Sequence, residues 1–180
     1  VDLFYIHRYD PITPLDETLQ TLVDIVCSGK ALYVGISKYP PEQQALAYSI
    51  LKEAKVPCLL SQYRCSMFDQ KAKRANFQLA ADNGSGVICF SPLAQGLLTG
   101  KYDNGIPEGS RAARSTGFLQ TSQVTPERIE AARQLGVIAK ERGQSLAQMA
   151  LAWVLNDERV TSVIIGTSSV AQLNNNLNTL

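Results

Sequence analysis

Short hydrophobic runs alternate with longer amphipathic segments along this chain of 180 residues. Five runs rich in β-branched and aromatic residues predict strands; they span residues 3–6, 32–36, 59–62, 87–90 and 160–165. The first four begin about 28 residues apart, which is the length of one strand–helix unit. Runs that are hydrophobic on both faces are typical of a parallel sheet covered by helices. The pattern therefore predicts an α/β protein.

Capping residues mark the first two predicted helices. Thr13 is predicted to cap the first, with Pro14 at its first position and Gly29 just after its end. The prolines at 40 and 41 open the second helix. Its hydrophobic positions at helical spacing are predicted to face inward; they are Leu46, Ile50, Leu51 and Ala54.

Four further helices are predicted by similar signals. Asp69 is a candidate cap for an irregular third helix that ends near residues 83–84. Thr125 precedes a fourth helix that runs to Gly143, and Ser145 forms a capping box with Gln148, three residues later, at the start of a fifth. The last helix is predicted to begin near residue 168. Residues 91–124 form the one long irregular segment, and long loops within compact domains are usually functional or mobile.

Charge and composition exclude several functions. Seventeen Lys and Arg residues against sixteen Asp and Glu residues give a net charge of +1, so nucleic acid and anionic membranes are not expected as main partners. No hydrophobic run reaches the roughly 20 residues that span a bilayer. The N-terminal residues do not have the pattern of a signal peptide.

The cysteines predict neither a metal site nor a disulfide framework. Cys27, Cys58, Cys65 and Cys89 form no CxxC motif and have no neighbouring histidine. We interpret all four as buried thiols, which favours the reducing cytoplasm.

Polar residues follow each predicted strand and bear on the choice between a barrel and an open sheet. They are His7 with Arg8, Ser37 with Lys38, Gln62, Ser91, and Thr167 with Ser168. In a barrel these strand ends converge on one site. An open dinucleotide-binding sheet would carry a GxGxxG motif, which is absent. Because loops are polar in either fold, this pattern alone leaves both open.

Several of these residues could carry chemistry or be merely structural. His7, the only histidine, could donate a hydrogen bond to a carbonyl or move a proton, or it could simply be satisfied by the backbone. Phe90 could lie against a ligand ring, and Lys101 and Arg111 could bind phosphate or be solvated surface charges. The small-residue turn at 166–169 could meet a phosphate or only cap a helix.

Five ordered motifs resemble those of aldo-keto reductases. They are DLFYIH at 2–7, GIS at 35–37, SQY at 61–63, FSPL with GLLTGKY at 90–102, and IGTS with Gln172 at 165–172. The long loop is most similar to the branch that holds bacterial glyceraldehyde 3-phosphate reductases and the β subunits of voltage-gated potassium channels.

The resemblance implies an NADP(H)-dependent (β/α)8 TIM barrel in which the five strands are the fourth to the eighth. Residues 1–180 would then be the C-terminal part of a single barrel domain, with about 85 residues missing before Val1. The family's catalytic Asp, Tyr and Lys lie on the earlier units. The complete protein is expected to reduce an aldehyde or ketone, and the 180 residues alone are expected to be inactive.

The resemblance also implies the roles of individual residues. His7 would orient the substrate carbonyl. Ser37 and Gln62 would bind the nicotinamide carboxamide with Lys38 close by, and Phe90 would stack on the nicotinamide ring. The residues implied for the rest of the cofactor are Ser91, Pro92, Leu93, Ala94 and Gln95 along the pyrophosphate, Lys101 and Arg111 over it, Gly166, Thr167, Ser168 and Gln172 at the 2′-phosphate, and Asn175 and Asn176 at the adenine.

Two other classes of function remain open at the level of sequence. One is a nucleotide-sensing regulatory subunit of the potassium-channel type, against which His7 argues because those subunits tend to carry Asn there. The other is an unrelated phosphate-binding barrel enzyme such as an aldolase or isomerase. For the reductase, the expected partner is a small-molecule carbonyl substrate, and relatives of this branch often form homo-tetramers. No metal site is predicted.

Overall fold

A computed structural model describes residues 1–114, 116 and 118–180 of the chain. The strands in these residues form one five-stranded sheet. The strand order is sequential, and the neighbouring strands from β1 to β4 run parallel. Within the described residues the strands are β1 (Leu3–Ile6), β2 (Tyr33–Ser37), β3 (Cys58–Arg64), β4 (Gly86–Phe90) and β5 (Val160–Ile164). All five predicted strands are confirmed, with small shifts in their ends.

Helices follow the strands, as the strand–helix pattern predicts. In the described part of the chain they are α1 (Leu15–Cys27), α2 (Pro41–Glu53), α3 (Lys71–Ala75), α4 (Phe77–Asp82), α5 (Pro126–Glu141), α6 (Leu146–Leu155) and α7 (Val170–Leu177). Short 3₁₀ turns at Ala94–Thr99, Arg111–Ala113 and Thr121–Gln123 interrupt the segment that was predicted to be irregular. None of the described helices is long and hydrophobic enough to cross a membrane.

The chain divides into two compact units. The sheet unit comprises residues 1–65, 70–90 and 157–162, and therefore holds β1 to β4 and the first residues of β5. The loop unit comprises residues 66–69, 91–156 and 163–180. It holds the long loop after β4 and the helices α5, α6 and α7.

The core of the sheet unit lies between one face of the sheet and its helices. Side chains alternate along β2, so that Val34 and Ile36 are fully buried on one face while Gly35 and Ser37 lie on the other. Helix α1 contacts β2, α2 contacts β3 and α4 contacts β4. Leu19 and Leu22 of α1 are fully buried, and burial of each such side chain stabilises the fold by about 2 kcal/mol.

The predicted cap of the first helix is wrong by one residue. Helix α1 begins at Leu15, and its N-cap is Pro14 in an extended backbone conformation, with φ −52° and ψ 133°. Thr13 does not cap the helix, because its hydroxyl donates a 2.7 Å hydrogen bond to the carboxylate of Asp10.

The predicted inward face of α2 is only partly correct. Leu51 is fully buried, but Leu46 is half exposed and Ala54 is exposed. The buried face instead includes Gln44 and Tyr48. Their side chains hydrogen-bond to each other and to neighbouring elements, so the helix turns polar residues inward.

The third predicted helix consists of two short helices that are separated at Asn76. Gln70, not Asp69, is the N-cap of α3. The backbone of Asp69 instead pairs with that of Ser66 in a tight turn. The side-chain amide of Asn76 donates to the carbonyl of Tyr39 at 3.0 Å, which stabilises the break.

The predicted starts of the later helices are confirmed. Thr125 accepts a hydrogen bond from the first turn of α5. The Ser145 and Gln148 side chains form the capping box of α6, at 3.2 and 2.8 Å. Ser169 caps α7, whose first residue is two positions beyond the predicted start.

Three of the four cysteines are buried as predicted, and none is in a disulfide. Cys58, Cys65 and Cys89 are almost completely buried in the sheet unit. The prediction for Cys27 is wrong, because the last turn of α1 exposes it.

The loop unit has a small hydrophobic cluster of its own. Leu97, Tyr102, Ala112 and Leu119 are buried together, and Phe68 packs against them. This cluster packs together three described stretches of the long loop, around residues 97–102, 112 and 119, so these stretches have a defined conformation despite their irregular sequence.

An ion-pair cluster ties the start of β5 to α3 and α4 within the sheet unit. Both nitrogens of the Arg159 fork, Nε and Nη2, lie 2.8 Å from the two carboxylate oxygens of Asp157. Lys73 lies 3.3 Å from the same carboxylate, and the Arg159 guanidinium stands 5.6 Å from the ring centroid of Phe77. The hydrogen bonds from Arg159, assisted by Lys73, hold the pKa of Asp157 well below its ordinary value of 3.8.

The Asp157→Asn variant is expected to lower the free energy of unfolding at pH 7 by about 2 kcal/mol. This is the usual contribution of a hydrogen bond to a charged group. Because folding lowers the pKa of Asp157, its contribution is complete above the ordinary pKa and is lost as the pH falls further. Denaturant unfolding at neutral and strongly acid pH should therefore show a gap between wild type and variant that closes in acid. Glu158→Gln, at an exposed neighbour, is the control. A gap that is equal at both pH values would contradict this account.

Candidate active site

The carboxyl ends of β1 to β4 bring several of the predicted residues together in the sheet unit. His7 follows the last residue of β1, and Ser37 is the last residue of β2. The register pairs Ser37 with Gln62 on β3, and Phe90 is the last residue of β4. Parallel strands present these ends at one edge of the sheet.

Ser37 and Gln62 provide a polar corner at this edge. The Ser37 side chain is buried, and its hydroxyl donates a 2.9 Å hydrogen bond to the main-chain carbonyl of Gln62. The backbone N–H of Lys38 donates to the same carbonyl at 3.2 Å. The Ser37 oxygen keeps its acceptor lone pairs, and no described residue hydrogen-bonds the Gln62 side-chain amide. The pair can therefore offer the two N–H donors of the Gln62 NH2 group and two acceptor oxygens, Gln62 Oε1 and Ser37 Oγ, to a ligand amide.

His7 is held by Lys38. The Lys38 ammonium nitrogen lies 3.2 Å from Nε2 of His7. An ammonium group has donors only, so Nε2 accepts this bond and the proton of the neutral ring is on Nδ1. Nε2 can donate to a carbonyl oxygen only after Lys38 has moved away and the ring proton has passed from Nδ1 to Nε2, for example through water.

Phe90 presents a half-buried ring to two cations. The Lys38 ammonium is 5.2 Å from the ring centroid, and the Arg64 guanidinium carbon is 5.7 Å from it. Both distances are within the range of cation–π attraction. The ring is thus a platform that attracts flat or positively charged groups.

The sequence interpretation placed Arg8 among the polar residues at the strand ends without giving it a role, and it missed Arg64. Burial, followed by the positive charges of Arg8 and Arg64, lowers the pKa of the Lys38 ammonium. A signal for both was available. Arg8 directly follows His7, and Arg64 stands two residues after Gln62 on the same strand and therefore on the same face.

Gly35 explains why the GIS motif needs glycine. A Cβ at this position would lie 2.5 Å from the Tyr5 ring and 2.8 Å from the carbonyl oxygen of Leu60. The Tyr5 ring therefore covers the backbone of β2. Burial, followed by the nearby Cys58, raises the pKa of Tyr5 to about 12.

In the loop unit, the segment after β4 folds back on itself. Ser91, Ala94 and Gln95 all have left-handed backbone conformations, with φ of 54°, 48° and 61°. Such conformations are costly for non-glycine residues and tend to occur at functional sites. The Gln95 amide donates to the Ser91 hydroxyl at 3.0 Å and accepts from Arg111 at 2.6 Å. Pro92, between them, is buried.

The turn after β5 lies beside the same arginine. A Cβ on Gly166 would lie 3.5 Å from the Arg111 guanidinium. Ser168 donates to the Gln172 side-chain oxygen from both its backbone N–H and its hydroxyl, each at 3.0 Å. Thr167, between Gly166 and Ser168 along the chain, is exposed. The structure thus brings Gly166, Ser168 and Gln172 together, with Arg111 next to Gly166.

The three remaining predicted cofactor residues are Lys101, Asn175 and Asn176. Lys101 is exposed, and no described side chain holds its ammonium group. The Asn175 amide donates to Ser145 at 3.2 Å, and Asn176 is mostly buried. Asn175 thus helps to attach α7 to the start of α6, and the contact of both asparagines with an adenine stays a prediction.

Comparison with known proteins identifies the family. The whole chain, residues 1–180, matches the sequence profile of the Aldo/keto reductase family, so the chain belongs to it. The fold of this family is a (β/α)8 barrel, and the sheet with its covering helices corresponds to part of one. The chain is 46% identical over 184 residues to the L-glyceraldehyde 3-phosphate reductase of Escherichia coli O157:H7, and equally to that of Escherichia coli strain K12.

These alignments cover 100% of this chain but 53% of each relative. The chain therefore spans about half the length of the curated relatives that it matches.

Proposed function

We propose that the intact protein reduces an aldehyde or a ketone with a hydride taken from NADPH. The observation that carries this proposal is the grouping of His7, Ser37, Gln62 and Phe90 at adjacent strand ends. Membership of the Aldo/keto reductase family supports it, as does the similarity to two proteins that are named as reductases of an aldehyde.

The polar and charged groups of the chain suit the carboxamide, the pyrophosphate and the 2′-phosphate of NADP(H). Ser37 and Gln62 offer the donors and acceptors that a carboxamide needs, beside the flat ring of Phe90. Ser91 through Gln95, with Lys101 and Arg111, offer hydroxyl and cationic groups suited to the pyrophosphate. Gly166, Thr167, Ser168 and Gln172 offer a small-residue turn at the start of α7 for the 2′-phosphate.

In the proposed reaction the bound cofactor supplies the hydride. His7 donates a hydrogen bond from its ring to the carbonyl oxygen, which orients the substrate and stabilises the negative charge that develops on that oxygen. Lys38 must first release Nε2 of this ring, because its ammonium group occupies the acceptor lone pair. The ring proton must also pass from Nδ1 to Nε2 through water before Nε2 can donate. Phe90 provides the surface against which the flat reacting groups lie.

We also propose that residues 1–180 supply the fourth to eighth strands of one barrel domain. The greater length of the relatives supports this. The general acid would then come from outside the 180 residues, and the chain alone would not turn over substrate. Tyr5 is a poor substitute, because its pKa of about 12 makes it a weak acid at neutral pH. The intact mass of the natural protein tests this: we expect more than about 30 kDa, as for a complete barrel, and 19.6 kDa would contradict it.

Two substitutions should distinguish the proposed contact with the pyrophosphate from the proposed contact with the 2′-phosphate. Arg111→Gln is expected to weaken binding of both NADPH and NADH about tenfold, since it removes a charge-assisted bond to a shared group. Ser168→Ala is expected to weaken NADPH binding alone, because NADH lacks the 2′-phosphate. Calorimetric titration measures both affinities.

Arg114→Gln is the matched control, because Arg114 is exposed shortly after Arg111. Equal loss of NADPH and NADH affinity in Ser168→Ala would contradict the 2′-phosphate assignment. Unchanged affinities in Arg111→Gln would contradict the pyrophosphate assignment.

We further propose a cytoplasmic location, supported by three buried thiols that carry no disulfide, at Cys58, Cys65 and Cys89. Assembly into a homo-oligomer, such as a tetramer, stays a prediction.

A further inference from the structure

Five buried polar side chains form a hydrogen-bonded network between β3 and the helices that cover it. They are Gln44, Tyr48, Ser61, Asn76 and Ser85, and none of the five is more than 6% exposed. All of them belong to the sheet unit. Since these side chains are already enclosed, their hydrogen bonds do not depend on any segment beyond the 180 residues.

The central contact of the network joins Tyr48 of α2 to Ser61 of β3. The two hydroxyl oxygens lie 2.6 Å apart. The Tyr48 oxygen accepts from the Gln44 amide at 2.8 Å, so its own proton is available for Ser61. The Ser61 hydroxyl also lies 3.3 Å from that of Ser85, which directly precedes β4. Ser61 is therefore held from two sides.

The strand β3 contains a register shift just before Ser61. Val34 of β2 lies opposite Cys58, but the next residue of β2 lies opposite Leu60, so β3 has one extra residue between them. Cys58 and Ser61 are three residues apart, yet both are buried and their Sγ and Oγ atoms lie 3.9 Å apart. In a regular strand, residues three apart point to opposite faces. The extra residue therefore decides which face Ser61 and the residues after it present.

The position of Gln62 depends on this register. Beyond the shift, Ser37 lies opposite Gln62, and its hydroxyl donates to the Gln62 carbonyl at 2.9 Å. A slip of one residue would turn the Gln62 side chain to the other face of the sheet. Hydrogen bonds are directional, and a buried polar group is costly to leave without a partner, so the contact between Tyr48 and Ser61 opposes such a slip.

We propose that Tyr48 is a positioning residue for the nicotinamide end of the cofactor. Its hydroxyl holds Ser61 and thereby keeps the Gln62 side chain beside Ser37. Tyr48 acts from behind the sheet, because Ser61 and Gln62 are consecutive residues of β3 and point to opposite faces. This inference rests on the proposed function, in which Ser37 and Gln62 bind the carboxamide.

Calorimetric titration of the intact natural protein with two ligands tests the inference. NADPH contains the nicotinamide, whereas 2′-phospho-ADP-ribose has the adenine, the 2′-phosphate and the pyrophosphate but lacks the nicotinamide. We expect Tyr48→Phe to weaken NADPH binding about tenfold and to keep the affinity for 2′-phospho-ADP-ribose within about twofold of wild type, because only the carboxamide contacts are displaced. Ser61→Ala should act in the same direction, and it carries the comparison if Tyr48→Phe does not fold.

Val23→Ala is the matched control for stability. It removes buried hydrophobic contacts from α1 in the same unit and leaves the network intact, so it should change neither affinity. A purely structural role of Tyr48 would make Tyr48→Phe weaken both ligands equally or neither of them. Either of these results would overturn the inference while the proposed reduction stands.

If wild type does not bind NADPH more tightly than 2′-phospho-ADP-ribose, the proposed carboxamide site at Ser37 and Gln62 is wrong. Hydrogen–deuterium exchange of the backbone amides of residues 60–63 then decides the role of the network. Faster exchange in Tyr48→Phe than in Val23→Ala would support the hold of Tyr48 on the register of β3. Equal exchange in the two variants would overturn it.

Discussion

Replacing His7 with alanine is expected to lower kcat of the intact protein about a hundredfold, with the affinity for NADPH unchanged. His7 is the only histidine of the chain, and it lies at the end of β1 beside Lys38, which holds Nε2 at 3.2 Å. In the proposed reaction the ring donates to the oxygen on which negative charge develops. Removing one such donor costs about 10² to 10³ in rate. Single-turnover oxidation of NADPH, followed by absorbance, measures the effect on chemistry alone.

His7→Asn is the informative companion variant. The asparagine amide keeps a donor of shorter reach, so its kcat should lie between those of wild type and His7→Ala. Cofactor affinity serves as the control for folding. If His7→Ala retains the kcat of wild type, the assignment of His7 as the carbonyl-orienting residue is wrong.

Gln44→Leu is expected to lower the free energy of unfolding by about 3 kcal/mol. Gln44 is fully buried, and its amide donates to the Tyr48 hydroxyl at 2.8 Å and to the Asn76 carbonyl at 3.2 Å. Its side-chain oxygen accepts from the Asn76 amide at 2.6 Å. Leucine is similar in size, so the expected loss comes from buried polar groups left without partners, each of which costs about 1 to 3 kcal/mol. Urea unfolding followed by circular dichroism measures it.

Gln43→Leu makes the same chemical change one residue earlier on α2, where the side chain is only half-buried. Its effect should stay within about 0.5 kcal/mol. Equal destabilisation by the two variants would show that the buried network does not stabilise the fold. The network also reaches Ser61 through the Tyr48 hydroxyl, at 2.6 Å, and Ser61 precedes Gln62 of the candidate site.

The strands were predictable because hydrophobic runs in a parallel sheet differ sharply from their surroundings. Residues 3–6 form β1 as predicted. The end of β3 was missed because the polar residues Ser61, Gln62 and Arg64 interrupt the hydrophobic run, although alternation continues to the end of the strand, with Tyr63 buried and Arg64 exposed. Helix caps were predictable where a side chain makes the capping bond, as Ser145 does.

The inward face of α2 could not be predicted from its hydrophobic residues. Gln44 and Tyr48 are polar, and only the positions of Asn76 and Ser61 in the folded chain show that their hydrogen bonds are satisfied inside. The same limit applies to Thr13, whose hydroxyl had a better partner in Asp10 than the start of the helix.

The candidate site was predictable at the level of which strand ends carry it. The motifs pointed to His7, Ser37, Gln62 and Phe90, and the structure groups these residues at one edge of the sheet. The contact between His7 and Lys38 could not be predicted, because it depends on the left-handed backbone at Lys38, with φ of 58°. The position of Arg64 over the Phe90 ring required the strand register as well.

Transfer of a labelled hydride tests the central claim most directly. The intact natural protein is incubated with NADPH that carries deuterium at both C4 positions, and with an aldehyde substrate, and the product is analysed by mass spectrometry. Carbonyl reduction predicts an alcohol that carries one deuterium on the former carbonyl carbon, formed in a one-to-one ratio with oxidised cofactor. An unlabelled product, or no oxidation of NADPH with any aldehyde or ketone, would contradict it.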